Sequence, residues 1–150
     1  MAKADLLLDF LRMVRPALQQ ADIAATALLV GTGLSKRMRT VLEVLAHGGS
    51  QTVPDLARYL GMTRQSVQSM VNETHVAGLT ERRDNPRHRR SNLIVLTEKG
   101  AALITEVLTQ ERMLMAEVAD RLDIQDIDTA QSIAQHCHSA FSRLNKGTMP

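Results

Sequence analysis

A helix-turn-helix pattern followed by an arginine-rich hairpin is the feature that most restricts how this chain can fold. Residues 52 to 74 read TVPDLARYLGMTRQSVQSMVNET. Thr52 is suited to cap a first helix, Pro54 is tolerated in its first turn, and Gly61 is suited to end it. Thr63 offers a cap for a second helix directly afterwards. The segment therefore predicts two short helices joined by a tight turn.

The second helix of this pair has an apolar face and a polar face. Val67, Met70 and Val71 recur at steps of three and four, so we expect them to pack inward. The outward side chains are of the types that read base edges in the major groove, where arginine suits guanine and amides suit adenine. A merely solvated polar face remains the alternative. The predicted DNA contacts on this helix are the base-reading residues Arg64, Gln65, Gln68, Ser69 and Asn72 and the phosphate-binding residues Thr63 and Ser66.

Residues 79 to 96 predict a β-hairpin with a basic tip. Residues 79–83 and 91–96 suit short strands, and the stretch between them contains turn-forming Asn and Pro. The five arginines of this hairpin would repel one another in the free protein, which favours a surface that binds phosphates. A solvated charged loop is the alternative. The predicted DNA contacts of the hairpin are Arg87, His88, Arg89 and Arg90.

These segments resemble the MarR family of winged-helix regulators, named for multiple antibiotic resistance. The resemblance extends over nearly the whole chain, and its most specific parts are GLSKRMRTVLEVLA, DLARYLGMTRQSVQSMV, AGLTERR and LTEKG. It implies a homodimer that binds a palindromic operator, with the helix from Thr63 to Thr74 in the major groove and the hairpin, or wing, near the minor groove. It also implies that a small ligand often releases the DNA.

The wing departs from the family pattern at one position. The family usually has an acidic residue just before its paired arginines, where this chain has His88 followed by Arg89 and Arg90. Either Asp84 or Glu81 substitutes for that acid, or the wing is looser until DNA orders it.

The charge of the chain is unevenly distributed. The net charge is +2, but residues 34 to 99 contain eleven Lys and Arg against six acids, whereas the two ends contain seven against ten. The excess positive charge therefore lies where the helix-turn-helix pattern lies, which favours attraction to phosphates. Aromatic residues are scarce, which argues against binding of single-stranded nucleic acid by stacking.

The terminal segments predict helices with a narrow apolar seam. Apolar residues alternate at steps of four and three between residues 7 and 28 and again between residues 127 and 144. The two ends could pair within one chain, but apolar residues on so many faces favour packing against a second copy. Pro16 predicts a kink or two abutting segments in the first helix. The predicted dimer-interface residues are Leu7, Leu11, Val14, Leu18, Ile133, Cys137, Phe141 and Leu144.

The sequence has no pattern typical of an enzyme. We find no glycine-rich phosphate loop, no His-Glu-x-x-His and no recognisable nucleophile set, so we expect no catalysis, no cofactor and no metal. His136, Cys137 and His138 project in different directions from a helix and would not hold one ion. Cys137, the single cysteine, is expected to pack as a small apolar residue rather than to act as a redox sensor.

We therefore expect a mainly α fold with a small β-hairpin wing, in which residues 1–33 and 101–150 form a dimerisation domain and residues 34–100 form a winged helix-turn-helix domain. The amino terminus does not read as a secretion signal, which predicts a cytoplasmic protein. The predicted function is that of a double-stranded DNA-binding transcriptional regulator, a homodimeric repressor on a palindromic operator, with a small-molecule effector left open. The alternative is a winged-helix protein-interaction module that does not bind DNA.

Overall fold

The part of the chain that the structure describes contains six helices and one two-stranded antiparallel hairpin, which confirms the predicted mainly α class with a β-hairpin wing. The computed structural model describes residues 2–87 and 90–148, with side chains as far as residue 145. The elements in chain order are α1 (Lys3–Ala27), α2 (Lys36–Gly48), α3 (Val53–Leu60), α4 (Arg64–Val76), β1 (Thr80–Arg83), β2 (Leu93–Leu96), α5 (Glu98–Ala119) and α6 (Ile124–Thr148).

The turn between α3 and α4 is built by the capping residues that the sequence indicated. The Thr52 hydroxyl accepts a hydrogen bond from the Asp55 amide at the start of α3, and Gly61 ends this helix with a φ of 64°. The Thr63 hydroxyl accepts a hydrogen bond of 3.1 Å from the Ser66 amide at the start of α4. Each cap satisfies backbone groups that a helix end would otherwise leave unpaired. The predicted helix-turn-helix is thus confirmed, with its second helix ending at Val76.

The Asp55 carboxylate is tied into the α3 cap. The Thr52 hydroxyl donates to Asp55 Oδ2 at 2.6 Å, and Arg58 donates to Asp55 Oδ1 at 3.0 Å. The Thr52 hydrogen bond is the largest cause of a lowered pKa of Asp55, with Arg58 acting in the same direction. Because these bonds favour the charged form, they stabilise the fold more when Asp55 is ionised than when it is protonated.

Replacement of Asp55 by Asn is expected to reduce the acid sensitivity of the fold. An aspartate in an unfolded chain titrates near pH 3.9. A lowered pKa in the folded state therefore adds stability above that pH, and this stability is lost as the pH falls through the folded-state pKa. In urea unfolding at about pH 6 and about pH 3, Asp55→Asn should lose less stability than the wild type. Equal losses of stability in the two proteins would contradict the lowered pKa of Asp55.

One core cluster holds α2, α3, α4 and the hairpin together. Its members are buried apolar side chains, including Val41, Leu45, Leu56, Val67, Met70, Val71 and Ile94. The hairpin pairs Thr80 with Leu96 and Arg83 with Leu93, and Ile94 of β2 also exchanges backbone hydrogen bonds with Gln51, just before α3. Helix α4 and the hairpin are therefore positioned by the same apolar side chains.

A second core cluster joins α2 to the first turns of α5. It includes Leu29, Leu34, Met38, Leu42, Leu79, Ile104 and Val107. Arg39 of α2 adds a partly exposed ion pair to Glu111 of α5 at 2.5 Å. Since the Arg39 side chain is 17% exposed and also contacts Glu43, the pair lies at the edge of this cluster.

The chain connects α4 to α5 through a dense set of hydrogen bonds that we call the α4–α5 junction, residues 77–79 and 97–100. Three successive carbonyls after α4 each accept a bond from the start of α5. Lys99 Nζ donates to the Ala77 oxygen at 3.2 Å, Thr97 Oγ1 to the Gly78 oxygen at 2.8 Å, and the Thr97 amide to the Leu79 oxygen at 3.1 Å. The Thr97 hydroxyl also accepts from the Gly100 amide at 3.0 Å and so caps the start of α5.

Helix α1 is continuous through Pro16. The alternative of two abutting segments is therefore wrong. Proline removes one N–H and leaves the carbonyl of Arg12 without its helical donor. Arg12 is exposed, so that carbonyl can be hydrated, which lowers the cost of keeping the helix intact.

The chain forms two compact units, one extending to Glu111 and the other beginning at Arg112. Helix α5 runs across this division. Among the described residues, no helix combines the length and the apolar character that are needed to cross a membrane.

Candidate nucleic-acid interface

Helix α4 presents a polar face on the surface of the first unit. Val67, Met70 and Val71 are buried, which confirms their predicted inward packing. Most polar residues of the helix lie on the other side, although Thr74 is buried. Of the predicted base-reading residues, Arg64, Gln65, Ser69 and Asn72 are exposed and Gln68 is half-buried.

Three side chains form a hydrogen-bond network between α4 and β1, which we call the Gln68–Asn72–Arg82 network. Gln68 Nε2 donates to Asn72 Oδ1 at 2.9 Å, and a terminal guanidinium nitrogen of Arg82 donates to the same oxygen at 2.9 Å. The amide oxygen of Asn72 therefore accepts from one neighbour on its own helix and from one on the wing strand. The wing is linked directly to the middle of α4 by this contact.

A second arginine from outside α4 contacts the same helix near Ser69. Arg37 of α2 donates to the Ser69 hydroxyl at 3.2 Å and forms an ion pair of 3.1 Å with Glu73. Because Ser69 accepts this bond, its own hydroxyl hydrogen remains available to an acceptor. Ser69 is thus held as a donor on the exposed face.

The two predicted phosphate contacts at the start of α4 bond to each other. Thr63 Oγ1 donates to Ser66 Oγ at 2.8 Å while it accepts from the Ser66 amide. The Ser66 hydroxyl then has a hydrogen to donate. The helix N-terminus adds its own partial positive charge at this position, which suits a phosphate.

A cleft of about 470 Å³ lies between α3, α4 and the hairpin. Its charged lining residues, within the described part of the chain, are Arg64 of α4, Arg82 of β1 and Arg90 of the wing. Gln65 and Gln68 line the same cleft, together with Ser91 and Asn92. The cleft therefore combines guanidinium groups, which bind phosphates and guanine, with amides, which bind adenine.

The base of the wing is shaped by Asn85 and by an ion pair on β1. Asn85 is buried, and its side-chain oxygen accepts a hydrogen bond of 3.0 Å from the Arg87 amide. Glu81 pairs with Arg83, whose Nε lies 2.8 Å from Glu81 Oε1. Arg87 and Arg90 are exposed. The predicted contacts His88 and Arg89 lie outside the described residues.

Sequence reasoning did not single out Arg37, Ser91 or Asn92 as part of this surface, and it counted Arg82 among the hairpin arginines without relating it to α4. A signal for Arg82 was present, because alternate residues of a strand point to opposite faces and Arg82 lies on the face opposite to Glu81 and Arg83. No local signal identified Arg37, since its partners Ser69 and Glu73 are 32 and 36 residues away in the chain.

Comparison with protein families finds a match between residues 33–91 and a model described as the MarR family. An uncharacterized protein of Mycobacterium tuberculosis (strain ATCC 25618 / H37Rv) is 44% identical over 72 residues, which cover 48% of this chain and 50% of that protein. An uncharacterized protein of Mycobacterium bovis matches to the same extent. The chain thus spans about half the length of the curated relatives it matches.

Solved structures resemble nearly the whole chain. The crystal structure of the MarR family transcription regulator SP03579 is 28% identical, with a TM-score of 0.84, and the match covers 96% of this chain and 95% of that one. A MarR family protein from Bacillus stearothermophilus is 17% identical with a TM-score of 0.78, over 95% of this chain and 99% of that one. The apo form of MarR from E. coli is 20% identical with a TM-score of 0.68, over 84% and 94%. The last two agree with this chain in fold.

Proposed function

Because the chain belongs to the MarR family, we propose that it is a transcriptional regulator that binds double-stranded DNA in a sequence-specific manner. The observation that carries this proposal is the polar face of α4 beside a cleft whose charged lining residues are arginines. A helix of this size fits the major groove, and its exposed arginine and amide side chains match base edges there. The wing arginines would bind phosphates and fix the register.

We also propose that the regulator acts as a homodimer. Large apolar side chains on α1 and α6 are exposed in the single chain, for example Leu18 at 64% and Phe141 at 45%. The predicted interface residues Leu7, Ile133 and Leu144 are exposed as well. Such apolar surface is stabilised when another copy covers it. A two-fold dimer would present its two α4 helices to successive major grooves and would favour a nearly palindromic operator.

Repression is the proposed regulatory outcome. A dimer that occupies two successive major grooves would exclude RNA polymerase from a promoter that overlaps its operator. A helix that exposes the polar side chains Arg64, Gln65 and Asn72 is less suited to a winged-helix module that binds only proteins, because such a module buries apolar surface.

The test is selection of bound duplexes from a random pool, followed by anisotropy titrations of the enriched duplex at several salt concentrations. We expect an inverted repeat and an affinity that falls steeply with salt, because phosphate contacts release counterions. Light scattering should give the mass of two chains at micromolar concentration. Absence of any enriched duplex at low salt would refute DNA binding, whereas enrichment of a single half-site by a monomer would refute only the homodimer.

Gln68→Ala is expected to relax base preference at one base pair of each half-site. The loss should be about 1–3 kcal/mol at that pair, because a side-chain amide that bonds two groups of one base contributes about that much discrimination. Competition titrations with single-substitution duplexes measure this loss. Gln125→Ala, which removes the same amide from α6, is the matched control and should change nothing. An unchanged preference in Gln68→Ala would mean that α4 is oriented differently in the groove.

A further inference from the structure

The amide pair Gln68 and Asn72 has two arrangements when considered alone. Each side-chain amide has a donor end and an acceptor end of nearly the same shape. Gln68 can donate to Asn72, as it does here at 2.9 Å, or both amides can rotate by half a turn so that Asn72 donates to Gln68. The two arrangements contain the same kind of hydrogen bond. The pair by itself therefore does not determine which atom Gln68 directs toward a base.

Arg82 removes this degeneracy. A guanidinium group donates hydrogen bonds and never accepts them. Arg82 donates to Asn72 Oδ1 at 2.9 Å, so rotation of the Asn72 amide would bring its NH₂ group against another donor. Asn72 must keep its oxygen toward Arg82, and this oxygen is the one that Gln68 contacts. Gln68 is consequently the donor of the pair.

The polarity of the pair determines the order of hydrogen-bonding groups that Gln68 presents along the groove. With one N–H of Nε2 bonded to Asn72, the other N–H and Oε1 remain available. A donor beside an acceptor matches the N7 acceptor and the N6 donor of adenine. In the rotated arrangement, donor and acceptor exchange places. That reversed order fits an adenine on the opposite strand, so the two arrangements distinguish A·T from T·A.

We propose that Arg82 is a positioning residue that sets the polarity of the Gln68–Asn72 pair and thereby determines the strand on which Gln68 prefers adenine. The effect on base preference rests on the proposed DNA-binding function. The polarity itself is a property of the free protein. Arg82 thus contributes to specificity from the wing strand through Asn72.

The neighbouring arginine supplies a matched control. Arg83 has the same charge and lies one residue further along β1, where it pairs with Glu81 instead of with α4. Arg83→Ala removes the same charge as Arg82→Ala and should weaken binding to all sequences alike. Two further variants separate charge from polarity. Arg82→Lys keeps a group that only donates, whereas Arg82→Gln introduces an amide that can also accept and therefore fits either arrangement.

The DNA experiment compares affinities for duplexes that contain A·T or T·A at the base pair most sensitive to Gln68→Ala. We expect the wild type and Arg83→Ala to prefer one orientation by about tenfold. Arg82→Lys should keep most of this ratio, and Arg82→Gln should bring it close to one. A wild-type ratio in Arg82→Gln, or an equal loss in Arg83→Ala, would overturn the proposal.

The second experiment uses the protein without DNA. Side-chain ¹⁵N–¹H spectra should show one hydrogen-bonded N–H of Gln68 in the wild type, in Arg82→Lys and in Arg83→Ala, but an averaged or doubled set in Arg82→Gln. Unchanged Gln68 signals in Arg82→Gln would overturn the polarity assignment. If the wild type binds no duplex, the proposed function fails and the effect on base preference fails with it. The amide spectra still decide whether Arg82 sets the polarity.

Discussion

Gly100→Ala is expected to destabilise the fold by about 3 kcal/mol or more, at the upper end of the cost of overpacking. A Cβ added at Gly100 would lie 2.0 Å from the backbone oxygen of Leu79, far inside van der Waals contact. This oxygen cannot move away freely, because it accepts the Thr97 amide at the α4–α5 junction. Alanine normally stabilises a helix relative to glycine by about 1 kcal/mol. The expected change in the free energy of unfolding is therefore opposite in sign to the change that helix propensity alone predicts.

Gly48 of α2 provides the matched control for this substitution. A Cβ at Gly48 would meet the end of the Gln51 side chain, which can rotate away. Gly48→Ala should therefore change stability by less than about 1 kcal/mol in either direction. Urea unfolding followed by circular dichroism, at one protein concentration for all variants, measures both effects. A Gly100→Ala protein as stable as the wild type would show that the backbone of the α4–α5 junction can shift at little cost in free energy.

Leu56→Ala is expected to cost about 2–5 kcal/mol, because it removes a large side chain from the centre of the core and leaves a cavity. Leu56 is 0% exposed and packs in the cluster that joins α2, α3, α4 and β2. The loss should appear as a lower urea midpoint with an unchanged slope. The proposed DNA binding should persist at low temperature, because Leu56 is a buried residue of α3 and contributes nothing to the exposed face of α4.

Tyr59→Ala is the control for Leu56→Ala, since it removes a larger side chain from the same helix. Tyr59 is 73% exposed, so its loss should change stability by about 0.5 kcal/mol or less. A comparable loss in both variants would contradict the expectation that burial in the core, and not side-chain size, determines the effect.

The helix-turn-helix could be predicted from the sequence because its determinants are local. Thr52, Gly61 and Thr63 act within a few residues of their own positions, and the steps of three and four in α4 require only helical geometry. The strands of the hairpin followed from residue types and turn residues in the same way. The alternative of two abutting segments at Pro16 was wrong because the cost of one proline is local, whereas the other residues of the helix also stabilise it.

The contacts that prepare the candidate interface could not be predicted in this way. The hydrogen bonds that Arg82 donates to Asn72 and Arg37 donates to Ser69 depend on how β1 and α2 pack against α4. This packing is not encoded in a local residue pattern. Sequence reasoning identified the side-chain types on α4. The direction in which each polar group points was determined by neighbours brought close by the fold.

The α4–α5 junction has a consequence for motion. The three carbonyls after α4 are each hydrogen-bonded to the first residues of α5. The C-terminal end of α4 and the N-terminal end of α5 are therefore expected to tilt together. Reorientation of α4 by itself would break several hydrogen bonds at once. In the proposed homodimer, any change in the spacing of the two α4 helices would therefore move the start of each α5 together with α4.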